Sequence, residues 1–299
     1  MNILLFGRNG QLGWQLQRSL AVLGPVTALG HDSTGHCADF ANPCGVVDTV
    51  RALRPDVIVN AAAHTAVDRA ESEPDLARTL NALTPGALAQ EAARSAALFV
   101  HYSTDYVFDG SGQRPWLETD PPAPLSVYGR TKLEGEQAVQ QSGAQHLIFR
   151  TSWVYAARGA NFAKTMLRLA QQQERLTVID DQWGAPTGAE LLADVTAHAI
   201  RQLQQRPQDA GLYHLAAAGA TTWNGYARYV LARARQSPLA GKIMAKEVLP
   251  ISGSAFPTPA IRPRNSRLDT HKLQTRFGLT LPHWQTGVAR MLSEILCPS

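Results

Sequence analysis

The sequence predicts an α/β protein whose parallel sheet is doubly wound, with helices on both of its faces. Short, mostly apolar runs, which are typical of buried parallel strands, occur at residues 3–6, 26–29, 57–63, 98–102 and 147–149. Helical patterns follow the first and third runs, and this alternation is typical of a Rossmann-like fold. A later strand at residues 211–216 returns to the sheet, and we expect a smaller C-terminal domain interwoven with the first.

The first strand leads directly into a glycine-rich loop. Gly7, Gly10 and Gly13 are spaced three apart, and residues 14–23 then repeat apolar side chains at helical spacing. A strand, a glycine turn and a helix together present backbone N–H groups and a helix N-terminus to a pyrophosphate. We therefore predict that this loop, with Gln11 and Leu12, binds the diphosphate of a dinucleotide. A glycine turn without a ligand is the less favoured interpretation.

The second strand ends without the acid that holds the ribose hydroxyls in many NAD sites. Gly30 follows the strand, and Asp32 lies beyond it. Together with Arg8 in the glycine loop, this favours NADPH, because a 2′-phosphate would be attracted; Arg8 facing only water is the alternative. Further on, Asp39 and Phe40 are predicted to border the adenine, with a simple turn acid as the competing interpretation of Asp39.

The third apolar run closes in small residues, which let the backbone approach a cofactor. Ala62 and Ala63 are these residues, and His64 and Thr65 follow at the carboxyl end, where open α/β sheets bind ligands. His64 is predicted to contact the cofactor or to pack, since no second histidine lies at metal-ligand spacing. Residues 75–97 predict one long helix containing Asn81, before the strand that ends near Tyr102.

Tyr128 and Lys132 are the strongest candidates for the chemistry. Residues four apart share a helix face, so the phenol and the ammonium would point into the same space. A lysine cation, together with the positive nicotinamide ring of an oxidised cofactor, favours the phenolate and brings the tyrosine pKa towards the working range. This suits proton exchange with a carbonyl or carbinol oxygen. An exposed helix start after Pro124 is the alternative interpretation of the same spacing.

The second half alternates helices and strands again and contains no repeat or linker. Helical patterns and strands are predicted at residues 161–173, 176–179, 190–203, 223–235 and 284–296. We assign residues 1–155 and about 187–230 to an NAD(P)-binding domain, and residues 156–186 and 231–299 to a substrate-binding domain. Prolines bracket a loop carrying Arg262, Arg264 and Arg267, which suit a substrate diphosphate as well as they suit a solvated surface.

Composition bounds the function classes. The chain has 299 residues, 44% hydrophobic and 17% charged, with a net charge of +4 and dispersed Lys and Arg, which argues against a nucleic-acid partner. Cys37, Cys44 and Cys297 have neither metal nor disulfide spacing and fit a reducing compartment. The start of the sequence lacks the pattern of a secretion signal, and no run of eighteen apolar residues predicts a membrane span. We therefore expect a cytoplasmic protein.

Several motifs in this order resemble one family. Besides the glycine loop and the Tyr128–Lys132 pair, they are residues 60–65 (NAAAHT), 103–108 (STDYVF), 150–155 (RTSWVY), 184–188 (GAPTG) and 262–268 (RPRNSRL). The set resembles the extended short-chain dehydrogenase/reductases and, more narrowly, the dTDP-4-dehydrorhamnose reductases. The likeness covers nearly the whole chain; each motif is weak alone, and their order makes the set specific.

The resemblance implies a reaction and the residues that perform it. Hydride would pass from the nicotinamide of NADPH or NADH to C4 of dTDP-4-dehydro-L-rhamnose, giving dTDP-L-rhamnose. Tyr128 would supply the proton, Lys132 would orient the nicotinamide ribose, and Thr104 would hydrogen-bond the carbonyl. Asp105 would contact the sugar; capping of the strand end is the competing interpretation of Thr104 and Asp105.

The resemblance also implies residues for the base and for a metal. Trp153 would stack on thymine, with a core tryptophan as the alternative, and Arg262 would contact the substrate. Some members of the family hold Mg²⁺ with acids from two subunits. Glu190 and Glu294 match two of these positions, but the third is Gln15, a weaker ligand. We therefore doubt a firmly bound metal and any homodimer that depends on one, although a homodimer remains compatible with the sequence.

Two other functions remain open at this point. A sugar-nucleotide epimerase or dehydratase would use the same scaffold but return the hydride to its substrate, so net consumption of NADPH separates it from a reductase. A non-catalytic NADP-binding regulatory subunit is the third hypothesis, because a protein resembling this family regulates methionine adenosyltransferase. The intact set of Thr104, Tyr128 and Lys132 argues against a regulator.

Overall fold

The computed structural model describes residues 1–296, so Cys297 lies outside the described residues. The twelve strands are β1 (Ile3–Phe6), β2 (Val26–Leu29), β3 (Val57–Asn60), β4 (Leu98–Thr104), β5 (His146–Thr151), β6 (Val154–Tyr155), β7 (Arg175–Ile179), β8 (Trp183–Gly184), β9 (Thr187–Gly188), β10 (Gly211–His214), β11 (Thr221–Thr222) and β12 (Glu247–Ile251).

Helices occupy both faces of the sheet and much of the C-terminal part. They are α1 (Gln11–Leu20), α2 (Pro43–Leu53), α3 (Val67–Ala70), α4 (Pro74–Arg78), α5 (Thr84–Ser95), α6 (Val127–Gln141), α7 (Phe162–Ala170), α8 (Ala189–Leu203), α9 (Trp223–Ala234), α10 (His271–Phe277) and α11 (Trp284–Leu296). A π-helical turn, Thr79–Leu83, joins α4 to α5. No helix among the described residues is long and apolar enough to cross a membrane.

Six parallel strands form the central sheet in the order β10-β5-β4-β3-β1-β2. The chain order reverses at β1, which has β2 on one side and β3 on the other, and ligands bind open α/β sheets outside such a switch point. Separate hydrophobic clusters cover the two faces of the sheet. The α/β fold class with a doubly wound parallel sheet is therefore confirmed.

A third hydrophobic cluster lies in the C-terminal part of the chain. It joins α7, α9 and α11 to the two-stranded parallel sheet of β7 and β12, and Tyr226, Val230 and Val288 are buried in it. Between these segments the chain passes through α8 and β10, which belong to the first unit, because α8 packs on α1 and β10 pairs with β5. The two cores are thus built from alternating stretches of chain.

The elements differ from the predicted ones where local sequence competes with packing. The helix predicted over residues 75–97 is interrupted by the π-helical turn, and the third strand ends at Asn60 rather than at residue 63. Helix α1 begins at Gln11, three residues before the predicted start. Helix α2 and strand β12 were not predicted. Helix α2 has proline and glycine in its first turn but is capped by Asn42, and strand β12 contains Pro250.

Candidate functional site

A cavity of about 690 Å³ lies along the carboxyl ends of the central strands, at the switch point between β1 and β3. All the predicted cofactor, catalytic and substrate residues line this cavity except Gly13, His64 and Arg262. The cavity also has walls that the sequence did not indicate, among them Ala38, Leu80 and Trp223. The structure therefore brings most of the predicted site together.

The glycine loop forms one end of the cavity because its glycines allow three backbones to meet. Gly7 has a positive φ of 89°, and a Cβ there would lie 2.7 Å from main-chain atoms of Ala61 and Ala62. Gly13 lies behind the loop, where a Cβ would collide with the carbonyl oxygen of Gly7. The loop therefore leads straight into the first turn of α1, and the N-terminus of this ten-residue helix faces the cavity.

An ion pair occupies the end of β2. Arg8 approaches Asp32 at 3.2 Å, and the amide nitrogen of Asn9 donates to the other carboxylate oxygen at 2.9 Å. These bonds, first from Asn9 and then from Arg8, hold the pKa of Asp32 below its usual value. Gly30 and Asn9 line the cavity beside this pair. Arg8 is thus engaged by the acid that stands beyond the strand.

The wall after β3 is held by Asn81, which the sequence analysis noted without assigning it a role. Its side chain accepts a hydrogen bond from the His64 N–H at 2.8 Å and donates to the His64 carbonyl at 3.1 Å. The same amide donates to the hydroxyl of Thr131 on α6 at 3.1 Å. Asn81 lies in the π-helical turn and is 0% exposed. In the sequence, the sign of this role was a polar amide within a predicted helix rich in Ala and Leu, because a buried amide requires hydrogen-bond partners.

His64 turns its ring away from the cavity. Its Nε2 atom lies 3.4 Å from Glu73, and the side chain is buried. The small residues Ala62 and Ala63, with Thr65, form the wall instead. The main chain of His64 supports this wall through Asn81, so the structure gives the histidine a packing position and not a direct place in the cavity.

Tyr128 and Lys132 lie on the first turns of α6, which Ser126 caps by accepting from the Gly129 N–H at 3.1 Å. A Cβ at Gly129 would collide with the carbonyl oxygen of Tyr106, so glycine allows α6 to pack tightly against the segment after β4. The Thr104 hydroxyl lies near enough to the Tyr128 phenol to affect its pKa. The three predicted catalytic residues therefore converge on one wall of the cavity.

Burial dominates the protonation of this set. The Tyr128 ring is half-buried, but burial of its hydroxyl raises the pKa to about 12, and the neighbouring Thr104 hydroxyl only partly opposes this. The lowering expected from the lysine cation together with the positive nicotinamide ring of an oxidised cofactor stays a prediction. Lys132 is 2% exposed, and burial lowers its pKa to about 8, opposed by nearby Glu136. Burial in the protein thus keeps the Tyr128 phenol protonated and makes Lys132 bind its own proton less tightly.

Asp105 is buried beside Thr104, whose hydroxyl donates to it at 3.0 Å. Burial raises the pKa of the carboxyl to about 7, and the neighbouring hydroxyls of Ser266 and Thr104 oppose the rise. The Oδ2 atom has no hydrogen-bond partner among residues 1–296. An oxygen of this kind at the cavity wall is available to a polar ligand.

Trp153 already has a stacking partner within the protein. Its backbone has a positive φ of 48°, and its ring stacks on Trp223 at a centroid distance of 3.6 Å and an interplanar angle of 13°. Both rings line the main cavity. One face of Trp153 is therefore covered, and Trp223, on the first turn of α9, is an aromatic wall that the sequence analysis missed.

Arg262 borders a second cavity of about 670 Å³ and not the first. Its guanidinium makes two bonds to the Asp68 carboxylate, at 2.7 and 3.1 Å, and these hold the pKa of Asp68 below its usual value. Arg264 lines the same cavity, whereas Arg267 packs over the ring of Trp183. The two cavities are neighbours. Trp223 lines both of them, and Val67, which lines the first cavity, is followed in the chain by Asp68, which lines the second.

The residues matched to a metal are paired with a protein cation in this chain. Glu190 and Glu294 both border a third cavity of about 210 Å³, but the guanidinium of Arg290 lies 3.4 Å from one and 3.8 Å from the other. The Arg290 guanidinium therefore occupies the space beside both carboxylates in which a metal would bind them. Gln15 does not line that cavity. Within residues 1–296 no group of three or more His, Cys, Asp or Glu side chains is arranged to hold a metal.

Comparison with known proteins shows the family of this chain. The sequence profile of the family described as RmlD substrate binding domain matches residues 1–297. A dTDP-4-dehydrorhamnose reductase of Shigella flexneri is 60% identical over 99% of this chain and 98% of its own. The solved dTDP-4-dehydrorhamnose reductase of Clostridium acetobutylicum has a TM-score of 0.87 and 34% identity, covering 98% of this chain and 99% of its own. That of Bacillus anthracis, in complex with NADP, has a TM-score of 0.86 and 33% identity, with the same coverage.

Proposed function

The chain belongs to the dTDP-4-dehydrorhamnose reductase family, and we propose that Tyr128 is the proton donor of its reaction. The protein is an NAD(P)H-dependent oxidoreductase that reduces dTDP-4-dehydro-L-rhamnose to dTDP-L-rhamnose. The resemblance inferred from the motifs is thereby confirmed. The roles of individual residues go beyond this membership, and they rest on the geometry of the main cavity.

The cofactor fits the end of the cavity nearest the glycine loop. We assign the diphosphate to Gly7, Gly10 and the first turn of α1, where N–H groups and the helix dipole favour negative charge. Asp39 and Phe40 border the adenine end, and Ala62, Ala63 and Thr65 form the wall towards Lys132. NADPH or NADH supplies the hydride when it is bound.

The ion pair of Arg8 and Asp32 bears on the choice between the two cofactors. A 2′-phosphate at this end of the site would be attracted by Arg8 and repelled by Asp32, and Asp32 holds the guanidinium at 3.2 Å. Both side chains are part-exposed, so solvent weakens the pair. We propose that the pair lets the site use NADPH without excluding NADH.

Tyr128 is suited to the proton step by its protonation. An acid that protonates the ketone oxygen during the reduction must carry its proton at neutral pH. Burial keeps the Tyr128 phenol protonated. The Thr104 hydroxyl lies beside it and can hold the same carbonyl oxygen. Lys132 then stabilises the phenolate that forms once the proton has left. Asp105, with its buried Oδ2, is placed to accept from a sugar hydroxyl.

The nucleotide part of the substrate has its counterpart in the second cavity. Arg262 and Arg264 border this space and suit a diphosphate. Phe162, Met166 and Phe256 give it apolar walls for a base. We propose that the substrate spans both cavities past Trp153 and Trp223, with C4 of the sugar near Tyr128 and the thymidine diphosphate in the second cavity.

The observation that carries the proposal is the convergence of Thr104, Tyr128 and Lys132 on one wall of a cavity that begins at the glycine loop. The test is to follow NADPH absorbance with a panel of 4-keto-6-deoxy sugar nucleotides. We expect one NADPH to be oxidised for each dTDP-4-dehydro-L-rhamnose consumed, with slower reactions of analogues carrying another base. Conversion of sugar without net loss of NADPH would identify an epimerase or dehydratase instead.

The organisation and setting of the protein are further proposals. We assign residues 1–155 and about 187–230 to the cofactor domain, and residues 156–186 and 231–299 to the substrate domain. The described cores alternate along the chain, although α9 already packs in the second core from Trp223 and α10 packs in the first. Free thiols at Cys37 and Cys44 support a reducing, cytoplasmic setting. A homodimer that does not depend on a metal also stays a prediction, which sedimentation of the purified protein would test.

A further inference from the structure

Lys132 is buried against two polar side chains that the proposed reaction does not use. The Nε2 atom of His101, on β4, lies 3.4 Å from Nζ of Lys132. The amide nitrogen of Asn60, at the end of β3, lies 3.1 Å from the other ring nitrogen, Nδ1. His101 and Asn60 are 0% and 1% exposed, so neither can turn to solvent for a partner. The three side chains form a row from β3 to α6.

The main chain fixes the direction of hydrogen bonding along this row. The other end of the Asn60 amide faces the Ala62 N–H at 3.0 Å, and a main-chain N–H can only donate. The atom that faces it is therefore the amide oxygen, and the NH₂ group must face His101. The Nδ1 atom of the ring consequently accepts, and a neutral imidazole carries its proton on Nε2.

This tautomer places an N–H opposite the lysine. An ammonium group has donors only, so an imidazole N–H and a charged Lys132 face each other as two donors, at a separation longer than a normal hydrogen bond. An uncharged amine would instead accept from Nε2 and keep its bond to the Tyr102 carbonyl, now at 2.6 Å. Every bond in the row is satisfied only when Lys132 has given up its proton.

We propose that Asn60 and His101 are positioning residues for Lys132: Asn60 fixes the imidazole with its proton on Nε2, and this N–H stabilises the uncharged lysine that forms when Lys132 returns a proton to Tyr128. In that step the Lys132 ammonium loses a proton, and the Tyr128 phenolate gains it and becomes the phenol. Lys132 then takes up from solvent, through the cavity that it lines, the one proton that each reduction consumes. The inference rests on the proposed function, since it gives Lys132 a part in restoring the proton donor.

Other charged and titratable groups near Lys132 also affect its pKa. Tyr128 lies one turn before it on α6 and Glu136 one turn after it, and Glu136 is tied to Arg150 of β5 at 2.6 Å. Glu136 raises the pKa of Lys132, while burial lowers it to about 8. The pKa of His101 is held well below its usual value by burial and by the Lys132 charge, so the ring stays neutral in the working range.

The direct test is the tautomer of His101. In enzyme labelled with ¹⁵N at its nine histidines, two-bond proton–nitrogen spectra identify which ring nitrogen bears the proton, and loss of one signal set in His101→Gln assigns it. We expect a neutral ring with the proton on Nε2 from acid to alkaline pH. A proton on Nδ1, or a charged ring near neutral pH, would overturn the proposal.

The functional test reverses the tautomer. Asn60→Asp keeps an oxygen for the Ala62 N–H but offers a second acceptor to His101, which moves the ring proton to Nδ1 and presents a lone pair to Lys132. The alkaline limb of the kcat profile should then move up by about one pH unit. His101→Phe combined with Asn60→Asp is the control, because it keeps the added charge and lacks the imidazole. An equal shift in the double variant would show that charge alone acts and would refute the role of His101.

These outcomes are separable from those of the proposed function. If Tyr128 were not the proton donor, Tyr128→Phe would keep its turnover while the tautomer of His101 in the unaltered protein still came out as expected. If the tautomer were wrong, Tyr128→Phe would still lose turnover. The spectra of the unaltered enzyme also keep the proposal testable if Asn60→Asp does not fold.

Discussion

The cofactor side and the substrate side of the site are built differently. On the cofactor side, main-chain atoms and buried polar side chains hold the walls in place: glycines pack on backbone, and Asn81 ties the wall after β3 to α6. On the substrate side, the groups expected to recognise the ligand are occupied by each other, since Trp153 stacks on Trp223 and Arg262 is bound to Asp68. The first side is formed in advance, and the second must exchange partners.

This difference predicts where substitutions will be felt. Changes on the rigid, catalytic wall should lower turnover with little effect on binding. Changes among the occupied groups should alter the KM of the sugar nucleotide, because binding there includes the cost of separating existing partners.

The largest effect is expected for Tyr128→Phe. Removing the hydroxyl deletes the proton donor, so kcat should fall by about 10²–10⁴-fold while the Kd of NADPH changes little. Stopped-flow absorbance and fluorescence titration measure the two quantities. Tyr155→Phe, which borders only the third cavity, serves as the control and should keep its turnover. A loss smaller than tenfold in Tyr128→Phe would rule out this residue as the donor.

A smaller effect is expected when Arg262 is removed. Arg262→Met removes the guanidinium that we propose binds the substrate diphosphate, so the KM of the sugar nucleotide should rise by roughly ten- to a hundredfold with kcat largely kept. Arg267→Met, in the same loop but packed over Trp183, should change KM little. If Arg262 serves only to bind Asp68, Arg262→Met and Asp68→Asn should have equal effects on thermal stability and neither should alter KM.

Trp153→Ala tests the stacked pair. Loss of the ring should weaken sugar-nucleotide binding by about tenfold and leave NADPH binding unchanged. Isothermal titration with each ligand separately measures both affinities, with Trp183→Ala as a control that removes an exposed tryptophan elsewhere. Equal loss of affinity for both ligands would indicate a folding defect rather than a lost base contact.

The smallest effect concerns the pH dependence of stability. The pKa of Asp105 is raised to about 7 by burial, so the stability contributed by its neutral form is full below its unfolded pKa of 3.8 and is lost as the pH rises through about 7. Asp105→Asn removes this loss, and its Tm relative to the parent should increase by about 3 °C between pH 5 and pH 8. A Tm difference that is constant over this range would show that the carboxyl titrates normally.

The sequence predicted the rigid side better than the exchangeable side. Strand β1, the glycine loop and the spacing of Tyr128 and Lys132 depend on local patterns, such as apolar runs and helical periodicity, and the described structure reproduces them. The π-helical turn at Asn81 could not be read from periodicity, because its hydrogen bonds go to distant segments. A buried polar residue in an apolar helix was the only local sign of it.

Pairings between distant residues explain the other differences. The stacking of Trp153 on Trp223 joins residues seventy positions apart, and the bond of Arg262 to Asp68 joins residues 194 apart. Likewise, burial by the surrounding segments raises the pKa of Tyr128, and the spacing of Tyr128 and Lys132 alone does not show this burial. Such effects depend on the assembled fold and are invisible to local patterns.

Transfer of label from NADPH that carries deuterium at both C4 positions, [4,4-²H₂]NADPH, tests the central claim most directly. If the cofactor at the glycine loop faces a ketone held by Thr104 and Tyr128, one deuterium should appear at C4 of the dTDP-L-rhamnose formed, with one NADPH oxidised per sugar. Sugar product that carries no deuterium at C4, or that forms while the cofactor remains reduced, would contradict the account.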